Sequence, residues 1–546
     1  MVEPNSDITL IRTKFYEDYK HVLDFTSKEA QDNFFNSITD KLSVDKSTFQ
    51  RKDMTIRVPY KYDVVSMYNY GFYDNNSGYY GSRRYYFFIT NTEYINEEMT
   101  LVTIKIDSFQ TYLFDLSFKP SFIERKHVTD DEVGRYTYPE GLETGEYIVS
   151  SQTTHAYTDY YYCACLSWDL LVPASGIVGA STPEPHFVYN GIVSGAFYVI
   201  LPSENDVKGL INLYNQSGKI ENVIALFPIP KDYDPNPVWL VDASENHINY
   251  TYVRAKTDRD TYILGNIEIP FPTKLGYNGG SYTPVNKKLL SYPYTYLLAD
   301  NNVGNTAVYH FELFTNYGTA IFNVKGVLSV GCNIIYIPYT YKVAHADSGQ
   351  RYNFSELLTG ANLPLGSFQN NVYANWFAQN KGNITSNAVM GFTQMIAGAF
   401  SAGLGGMSAG AGLMLSGMDR VATLIGSVYD HSKAPVQVGG NVGNGDITYS
   451  TNRSGVSFYT MTIKEEYARI IDEYFSMYGY KINRVETPVL RTRTNWNYIK
   501  TNDIEILSLS IPQSNLDEIK SIFNRGVTVW HSYDNMFSYN LPNGNI

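Results

Sequence analysis

Few residues in this sequence have the types and spacing that catalysis requires. Gly406-Met407-Ser408-Ala409-Gly410 fits the G-x-S-x-G pattern that surrounds the serine nucleophile of many hydrolases. That pattern works on a sharp turn between a strand and a helix, whereas here it lies within a run of glycine, alanine and methionine. The nine histidines are scattered singly, and H-E-x-x-H, G-x-x-x-x-G-K and Rossmann glycine motifs do not occur. The sequence therefore predicts no catalytic residue, no cofactor and no metal site.

The three cysteines, Cys163, Cys165 and Cys332, are too few for a disulfide framework. They indicate synthesis in a reducing cytosol. Cys163 and Cys165 are two residues apart in the strand-like run 160–166, so their side chains point the same way. Because no histidine or further cysteine lies beside them at ligand spacing, we expect both to pack in a core.

Two clusters of charge have structural explanations. We interpret the acidic run 130–132 as a solvated turn. Arg491 and Arg493 flank Thr492 and would face one way on a strand, where they could contact phosphates. Pairing with carboxylates is the interpretation that we favour for both arginines.

The segment 382–418 differs from the rest of the chain because it has no charged residue. Glycine, alanine and serine fill most of its positions, together with five of the 12 methionines. A membrane-spanning helix needs about 20 mostly apolar residues, and 388–415 supplies that length. Each glycine lowers helix propensity by about 1 kcal/mol relative to alanine. The segment is therefore a poor permanent anchor that is still apolar enough to enter a bilayer.

Small residues recur at every fourth position of this segment, at Gly398, Ala402, Gly406 and Gly410. On a helix they form a smooth stripe of the kind that lets helices pack closely in lipid. Larger apolar side chains on the other faces would contact lipid around a pore. The residues predicted to be membrane-active are Met390, Phe392, Met395, Ile396, Gly398, Phe400, Ala402, Leu404, Gly406, Met407, Gly410, Leu413, Met414 and Leu415. The alternative for this segment is a buried apolar hairpin or a packed core helix.

The remaining sequence predicts a mainly β fold with some α, divided into several domains because 546 residues exceed one ordinary core. Four helices are expected: one that begins at Thr26 or Ser27, one over 368–379, one over 463–478 that ends at Gly479, and one from about 515. The predicted strands include 55–59, 85–90, 101–106, 157–167, 196–201, 308–314, 320–324, 332–338, 447–450 and 457–463.

The composition points to a protein of subunit interfaces. The 49 tyrosines exceed the 42 lysines and arginines combined, and a tyrosine ring buries apolar area while its hydroxyl can remain wet. The net charge of −12 argues against a protein that grips nucleic acid, since phosphates are bound by a basic excess. It still permits DNA to slide past. Residues 1–10 have no basic stretch followed by an apolar one, so we expect no signal peptide.

Longer motifs, most of them near the two ends of the chain, point to one family. Those in the C-terminal part are Tyr478-Gly479-Tyr480-Lys481-Ile482-Asn483-Arg484-Val485, Pro488, Leu490-Arg491-Thr492-Arg493, Asn497-Tyr498, Ile522-Phe523, Gly526, Thr528 and Trp530-His531. The others are Phe25-Thr26-Ser27, Gln31, Asn33, Phe35-Asn36-Ser37, Ile106-Asp107, Gln110-Thr111, Phe114, Phe118, Ser121-Phe122-Ile123, Arg125, His127-Val128, Glu140-Gly141-Leu142 and Tyr292-Pro293-Tyr294. Together they resemble the tail-knob, or distal tail-tube, protein of small podophages of Gram-positive bacteria with protein-primed DNA replication. The resemblance is clear over 1–150 and 430–546 and thin between them.

The resemblance implies a structural protein of the virion tail, made in the host bacterial cytoplasm, and no enzyme activity. It implies a homohexameric ring of β-barrel-like tube domains that contacts the proximal tail or collar and the tail tip. It also implies a lumen that conducts viral DNA without specific binding. Long apolar loops would plug this lumen before infection and then form a pore in host membrane lipid. That role matches the independent interpretation of 382–418.

We therefore expect four regions: an N-terminal tube domain over 1–150, a middle knob domain over 151–365, an apolar plug over 366–435, and a C-terminal region over 436–546 that packs with the N-terminal domain. Two other functions are alternatives for a protein of the tail tip. A cell-wall hydrolase of the tail tip would need an acid pair in a carbohydrate groove, and no such pair is evident. A receptor-binding protein could use the tyrosine-rich residues 150–345.

Overall fold

A computed structural model gives the fold of the chain. The residues that the structure describes are 6–47, 54–77, 81–157, 159–166, 187–189, 192–194, 197–217, 219, 222–233, 239–241, 248–252, 261–302, 304–315, 318–327, 333–342, 356–360, 366–367 and 455–546. Three sequence predictions, the helix over 368–379, the strand over 447–450 and nearly all of the plug over 366–435, lie outside the described residues.

The chain divides into two compact units. Unit 1 comprises Met1–Gly145, Pro284–Leu289 and Glu465–Ile546, and unit 2 comprises Glu146–Thr283 and Leu290–Lys464. Unit 1 is thus built from three separate stretches of chain. The strand over 456–463, which the sequence analysis placed in the C-terminal region, belongs to unit 2.

Strands account for most of the described elements. The first nine are β1 (Ser6–Ile11), β2 (His21–Leu23), β3 (Lys41–Ser47), β4 (Thr55–Val58), β5 (Tyr70–Ser77), β6 (Gly81–Asn96), β7 (Met99–Ile106), β8 (Ser117–Phe118) and β9 (Ser121–Lys126). The next group is β10 (Tyr147–His155), β11 (Tyr160–Leu166), β12 (Phe187–Tyr189), β13 (Ile192–Ser194), β14 (Phe197–Leu201), β15 (Val223–Pro230), β16 (Leu240–Val241), β17 (Asn249–Tyr252), β18 (Thr261–Pro270), β19 (Thr295–Asp300) and β20 (Thr306–Tyr309). The last are β21 (Thr319–Val327), β22 (Asn333–Tyr339), β23 (Leu358–Thr359), β24 (Gly366–Ser367), β25 (Val456–Ile463), β26 (Tyr480–Glu486), β27 (Trp496–Asn502), β28 (Ile506–Leu507) and β29 (Val527–Trp530).

Several of the described helices have the capping residues that their sequences predict. They are α1 (Lys28–Ser37), α2 (Tyr62–Val65), α3 (Ser108–Tyr112), α4 (Glu204–Gln216), α5 (Glu465–Tyr478) and α6 (Gln513–Arg525). The Ser27 hydroxyl accepts a hydrogen bond from Ala30 N, so Ser27 is the N-cap of α1. Gly479 follows α5 with a φ of +65°, and Gly526 follows α6. These helix predictions are confirmed within two residues.

A six-stranded sheet in the order β3-β1-β5-β6-β7-β4 forms one half of unit 1. Successive side chains of its strands point to opposite faces, so Phe87 and Phe88 of β6 enter two different cores. The core around Phe87 is aliphatic and aromatic, and the core around Phe88 includes Phe35 of α1. Both faces of the sheet are therefore covered.

The second sheet of unit 1 joins the two ends of the chain, in the order β2-β29-β27-β9-β26. Strand β2 pairs with β29 in parallel, and β9 lies between β27 and β26 in antiparallel pairs. Helix α6 buries Leu516, Ile519 and Phe523 in the same core as Trp496 and Trp530.

Unit 2 is also built on antiparallel sheets. Its strand orders are β10-β25-β19-β20, β16-β17-β14-β11-β15-β24 and β18-β21-β22-β23, with the hairpin β12-β13. Cys163 and Cys165 are buried and share one core, as predicted. The predicted strand over 308–314 is wrong beyond Tyr309, because a 3-10 turn over Phe311–Leu313 follows β20. The mainly β, multidomain class is confirmed.

Candidate functional site

The fourteen residues predicted to be membrane-active lie between positions 390 and 415, outside the described residues. The structure does show where their segment begins and ends. Strand β24 precedes it and pairs with β15, and β25 follows it between β10 and β19. Both flanking strands belong to unit 2. Both ends of the connection 368–454 are therefore anchored in unit 2.

Two kinds of functional feature are absent from the described residues. No helix there is long and apolar enough to cross a membrane. Nor do three or more histidine, cysteine, aspartate or glutamate side chains gather there in a way that could hold a metal ion.

Within unit 1, the side chains that the fold brings together around Glu140 form a buried ionic network. Strand β9 alternates, which turns Arg125 inward. Arg125 and Lys288 both donate to the Glu140 carboxylate, and the exposed fractions of these side chains are 9% for Arg125, 3% for Lys288 and 1% for Glu140. Lys481 N adds a hydrogen bond of 2.9 Å to Glu140 Oε1. This carboxylate thus accepts from three separate parts of the chain.

Lys288 has further partners that compensate for its burial. Its Nζ donates to the carbonyl of Tyr138 at 2.9 Å and lies 5.3 Å from the centre of the Tyr480 ring. Burial lowers the pKa of Lys288, and the neighbouring Glu140 carboxylate opposes that shift. Removing one member of such a buried pair leaves the other charge uncompensated, which costs about 3–5 kcal/mol in other proteins.

Two more carboxylates hold the residues just before Lys288. Asp472 accepts hydrogen bonds from Val285 N at 2.7 Å and from Asn286 N at 2.9 Å. Asp131 accepts one from Lys287 N at 2.8 Å. Four consecutive residues, 285–288, are therefore bound by Asp472, Asp131 and Glu140, which we call the carboxylate clamp. The interpretation of 130–132 as a solvated turn is wrong for Asp131, which also accepts from the Tyr480 hydroxyl at 2.8 Å.

His127 is a neutral, buried bridge in the same unit. Its Nδ1 accepts a hydrogen bond from Tyr498 N at 2.8 Å. The proton is therefore on Nε2, which lies 3.0 Å from the Ser476 carbonyl and donates to it. Burial and the nearby arginine charges lower the pKa of His127 to about 3. Because both ring nitrogens are engaged, the histidine connects three segments and is not placed to relay protons.

The two predicted arginines have different partners. Arg491 Nε donates to Asp24 at 3.1 Å, which agrees with the expected pairing to a carboxylate. Arg493 instead donates to the backbone carbonyl of Val128 at 2.6 Å. Arg493 forms an isolated β-bridge with Asn545, whereas Arg491 lies in no strand, so the two do not share a strand face, which corrects that expectation. Each arginine binds the acceptor that the fold places beside it. Both acceptors lie more than 300 residues away in the chain, so local sequence could not identify them.

The network is equipped to hold chain segments together. Its carboxylates accept from backbone N–H groups and from cations, so none of those described is set up as a general base. Arg125, His127 and Glu140 lie in the family motifs, but nothing in those motifs indicates their role. Nothing in the sequence pattern singled out Lys288 or Asp472.

Comparison with known proteins identifies the family. The family model described as "Bacillus phage phi29, Tail knob protein gp9, C-terminal domain" matches residues 261–544, more than half of the chain. The chain belongs to this tail knob family. A second model, described as "Caudoviral major tail protein N-terminus", matches residues 4–117, which include the six-stranded sheet of unit 1.

Relatives within the tail knob family align over nearly the whole chain. The chain is 28% identical to the tail knob protein gp9 of Bacillus phage PZA, covering 97% of this chain and 96% of that one. It is 27% identical to the tail knob protein gp9 of Bacillus phage phi29, again covering 97% and 96%. The structure of the bacteriophage C1 tail knob protein, gp12, shares the fold with a TM-score of 0.65 at 14% identity, covering 99% of this chain and 100% of that chain.

The resemblance read from the motifs is thereby confirmed, and the chain is a structural protein of the phage virion tail. The relatives are tail knob proteins, and neither family model describes an enzyme. The carboxylate clamp lies only partly within the matched stretches. Asp472 and Lys288 fall within the matched C-terminal domain, whereas Asp131 and Glu140 lie between the two matched stretches.

Proposed function

We propose that copies of this chain assemble into a ring that forms the distal part of the tail tube, that viral DNA passes through its lumen, and that the apolar segment 382–418 first plugs this lumen and then inserts into the host membrane. Membership of the tail knob family and the match to a tail protein N-terminus support the tube. The net charge of −12 suits a lumen that does not retain DNA.

The observation that carries the membrane role is the absence of charge over 382–418. An exposed apolar surface of this length would promote aggregation of the particle, so it must be shielded before infection. In a tube, the lumen is the shielded place. DNA moving towards the tip would expel the segments, and a bilayer would then provide the apolar surroundings that water does not.

The flanking strands add a structural argument for that movement. Both ends of the connection 368–454 are hydrogen-bonded into sheets of unit 2, through β24 and β25. The register of these strands does not depend on the conformation of the residues between them. The segment can therefore change its surroundings while the sheets that flank it stay intact.

Ring formation is tested by analytical ultracentrifugation of the purified protein and by electron microscopy of the particles it forms. We expect hexamers with a central channel, because the family resemblance and the many tyrosines suit large interfaces. A protein that stays monomeric at micromolar concentration, in virions whose tails show no channel, would exclude the tube.

The membrane role is tested by dye release from liposomes at neutral and mildly acidic pH. The proteins to compare are wild type, Phe400→Asp, Leu404→Asp and a deletion of 382–418. A charge at the bilayer centre costs about 2.5–3.5 kcal/mol per copy, so both substitutions should abolish release while ring assembly continues. Tyr277→Asp is the matched control, because Tyr277 is 71% exposed and lies outside the segment. Equal release by all variants would remove the membrane role and leave the buried hairpin as the explanation.

A further inference from the structure

An aromatic pair is displayed on the surface of unit 2. The rings of Tyr292 and His310 are stacked, with centres 4.0 Å apart and planes inclined by 6°. Tyr292 comes shortly before β19 and His310 directly follows β20, so the antiparallel pairing of these strands brings the two rings side by side. Tyr292 keeps 43% of its surface exposed. Tyr296 approaches it edge-on, with ring centres 6.3 Å apart, and extends the aromatic surface.

A carboxylate lies directly behind this pair. The Glu312 side chain is only 4% exposed, and His310 Nδ1 lies 3.8 Å from its Oε1. That oxygen accepts a hydrogen bond from Tyr292 N at 3.2 Å. The other oxygen, Oε2, has no hydrogen-bond partner in the part of the chain that the structure describes. A buried carboxylate oxygen without a donor is costly and rare, and calls for an explanation.

A positively and a negatively charged side chain lie beside the aromatic pair. Lys342 Nζ and Glu356 Oε1 are 2.7 Å apart, and about two-fifths of each side chain is exposed. The Tyr341 hydroxyl accepts a hydrogen bond from His310 N at 3.3 Å, which places the residue just before Lys342 next to the stack. A flat aromatic surface with a few donors and acceptors beside it has the composition of a small-ligand site.

We propose that this surface binds carbohydrate, with one pyranose ring packed on the exposed face of Tyr292 and a sugar hydroxyl donating to Glu312. The C–H bonds on one face of a pyranose carry partial positive charge and suit the negative face of an aromatic ring. Oε2 is buried in the unbound protein, so a shift of the partly exposed His310 ring would admit the sugar hydroxyl that supplies the donor. The neighbouring Lys342 and Glu356 offer a donor and an acceptor with no net charge, which favours a neutral polyhydroxylated ligand over an ion.

Two kinds of surface glycan present such a ring to a phage tail. One is the N-acetylhexosamine backbone of peptidoglycan, and the other is hexose attached to a wall polymer. The shared feature is the pyranose face, and substituents on the ring distinguish the two sources. The site is independent of the tube and of the apolar segment, so its test leaves the proposed function unaffected.

The experiment measures binding of two soluble probes to the full-length protein by saturation-transfer NMR and by calorimetry. The probes are tri-N-acetylchitotriose for the first source and maltotriose for the second, with glycerol as a non-cyclic control. We expect one of the two trisaccharides to bind and its ring C–H protons to receive the strongest saturation. Binding of neither at about 10 mM, where even weak sites are occupied, overturns the proposal.

Variants locate the site. Tyr292→Ala removes the aromatic ring on which the sugar packs and should weaken binding about tenfold or more. Tyr292→Phe keeps the ring and should bind like wild type. Glu312→Gln should weaken binding several-fold. Tyr277→Ala is the control, since it removes an even more exposed tyrosine of the same unit. Unchanged affinity in Tyr292→Ala contradicts the assignment. If that variant does not fold, Glu312→Gln decides, because it conserves side-chain volume, and wild-type affinity there contradicts the assignment equally.

Discussion

Glu140 and Lys288 stand 148 positions apart in the chain, yet their side chains form an almost completely buried ion pair in unit 1. The pair is one contact of the carboxylate clamp, in which Asp472 and Asp131 bind the residues just before Lys288. Through it, a short stretch from the middle of the chain becomes part of a unit otherwise built from the two ends.

Lys288→Met should destabilise unit 1 by about 3–5 kcal/mol, because it leaves the buried Glu140 with one cation fewer. The free energy of unfolding is measured by urea denaturation, followed by the fluorescence of Trp496 and Trp530, which lie in the unit 1 core. The double variant Lys288→Met with Glu140→Gln should recover part of the loss, since it removes the uncompensated charge as well.

The matched control is Lys20→Met, whose ion pair with Asp18 is solvent-exposed in the same unit. It should change stability by less than about 1 kcal/mol. Equal effects of Lys288→Met and Lys20→Met would show that the clamp contributes no more than a surface pair.

Gly479→Ala should be far more costly than Gly141→Ala, although both glycines have a left-handed backbone. A Cβ at Gly479 would collide with the backbone carbonyl of Lys126, while a Cβ at Gly141 would meet open space. Left-handed backbone alone costs alanine about 1–2 kcal/mol, so that is the expected loss for Gly141→Ala. Thermal unfolding of both variants provides the comparison, and equal melting temperatures would contradict the predicted collision.

His127→Gln should reduce the amount by which the free energy of unfolding falls as the pH is lowered. The pKa of His127 is lowered to about 3 in the fold from 6.5, so below pH 6.5 the unfolded chain takes up a proton that the folded chain refuses. Stability therefore falls as the pH drops from 6.5 towards 3, by about 3 kcal/mol at pH 4. Glutamine can keep both hydrogen bonds and does not titrate. Parallel unfolding free energies of wild type and variant between pH 7 and pH 4 would contradict this.

Asp107→Asn should have the opposite pH dependence. Asp107 is buried, caps α3 through Gln110 N at 3.0 Å and accepts from the Tyr70 hydroxyl at 2.8 Å. Burial raises its pKa from 3.8 to about 6, so the folded chain holds its proton more tightly. The protonated Asp107 carboxyl therefore makes its full contribution to the free energy of unfolding below about pH 4. That contribution is lost as the pH rises through 6.

Asparagine keeps the cap and removes the titration at this position. The stability of Asp107→Asn relative to wild type should therefore improve by on the order of 2 kcal/mol between pH 4 and pH 8. Chemical denaturation at the two pH values measures the difference. A relative stability that does not change with pH would mean that Asp107 titrates in the fold as it does in the unfolded chain.

The sequence predicted helices and strands correctly where neighbouring residues determine them, through apolar spacing, capping or alternation. The apolar spacing over 463–478 predicted α5, and Gly479 ends it with the left-handed φ expected of a C-cap. Ser27 was one of two candidate caps, and its hydroxyl makes the capping bond. Alternation placed Cys163 and Cys165 in one core. The prediction over 308–314 failed because β-rich composition does not reveal where a strand stops pairing.

The carboxylate clamp was beyond sequence reasoning for a different reason. Lys288 follows Lys287 in a stretch with no marked periodicity, and a lysine there would ordinarily be solvated. It is buried because Glu140 and the Tyr138 carbonyl approach it from more than 140 residues away. Only the topology of unit 1 creates that environment, and no local pattern encodes it.

The parallel pairing of β2 with β29 has a consequence for how the protein is made. During synthesis, residues 21–23 must wait for residues 527–530 before their sheet can close. Unit 2 and the six-stranded sheet lie wholly upstream and can form on the ribosome. Completion of unit 1 is therefore the last folding event, and it occurs only after the ribosome has released nearly the entire chain. A product that ends before residue 527 lacks the strand that closes this sheet and therefore cannot complete unit 1.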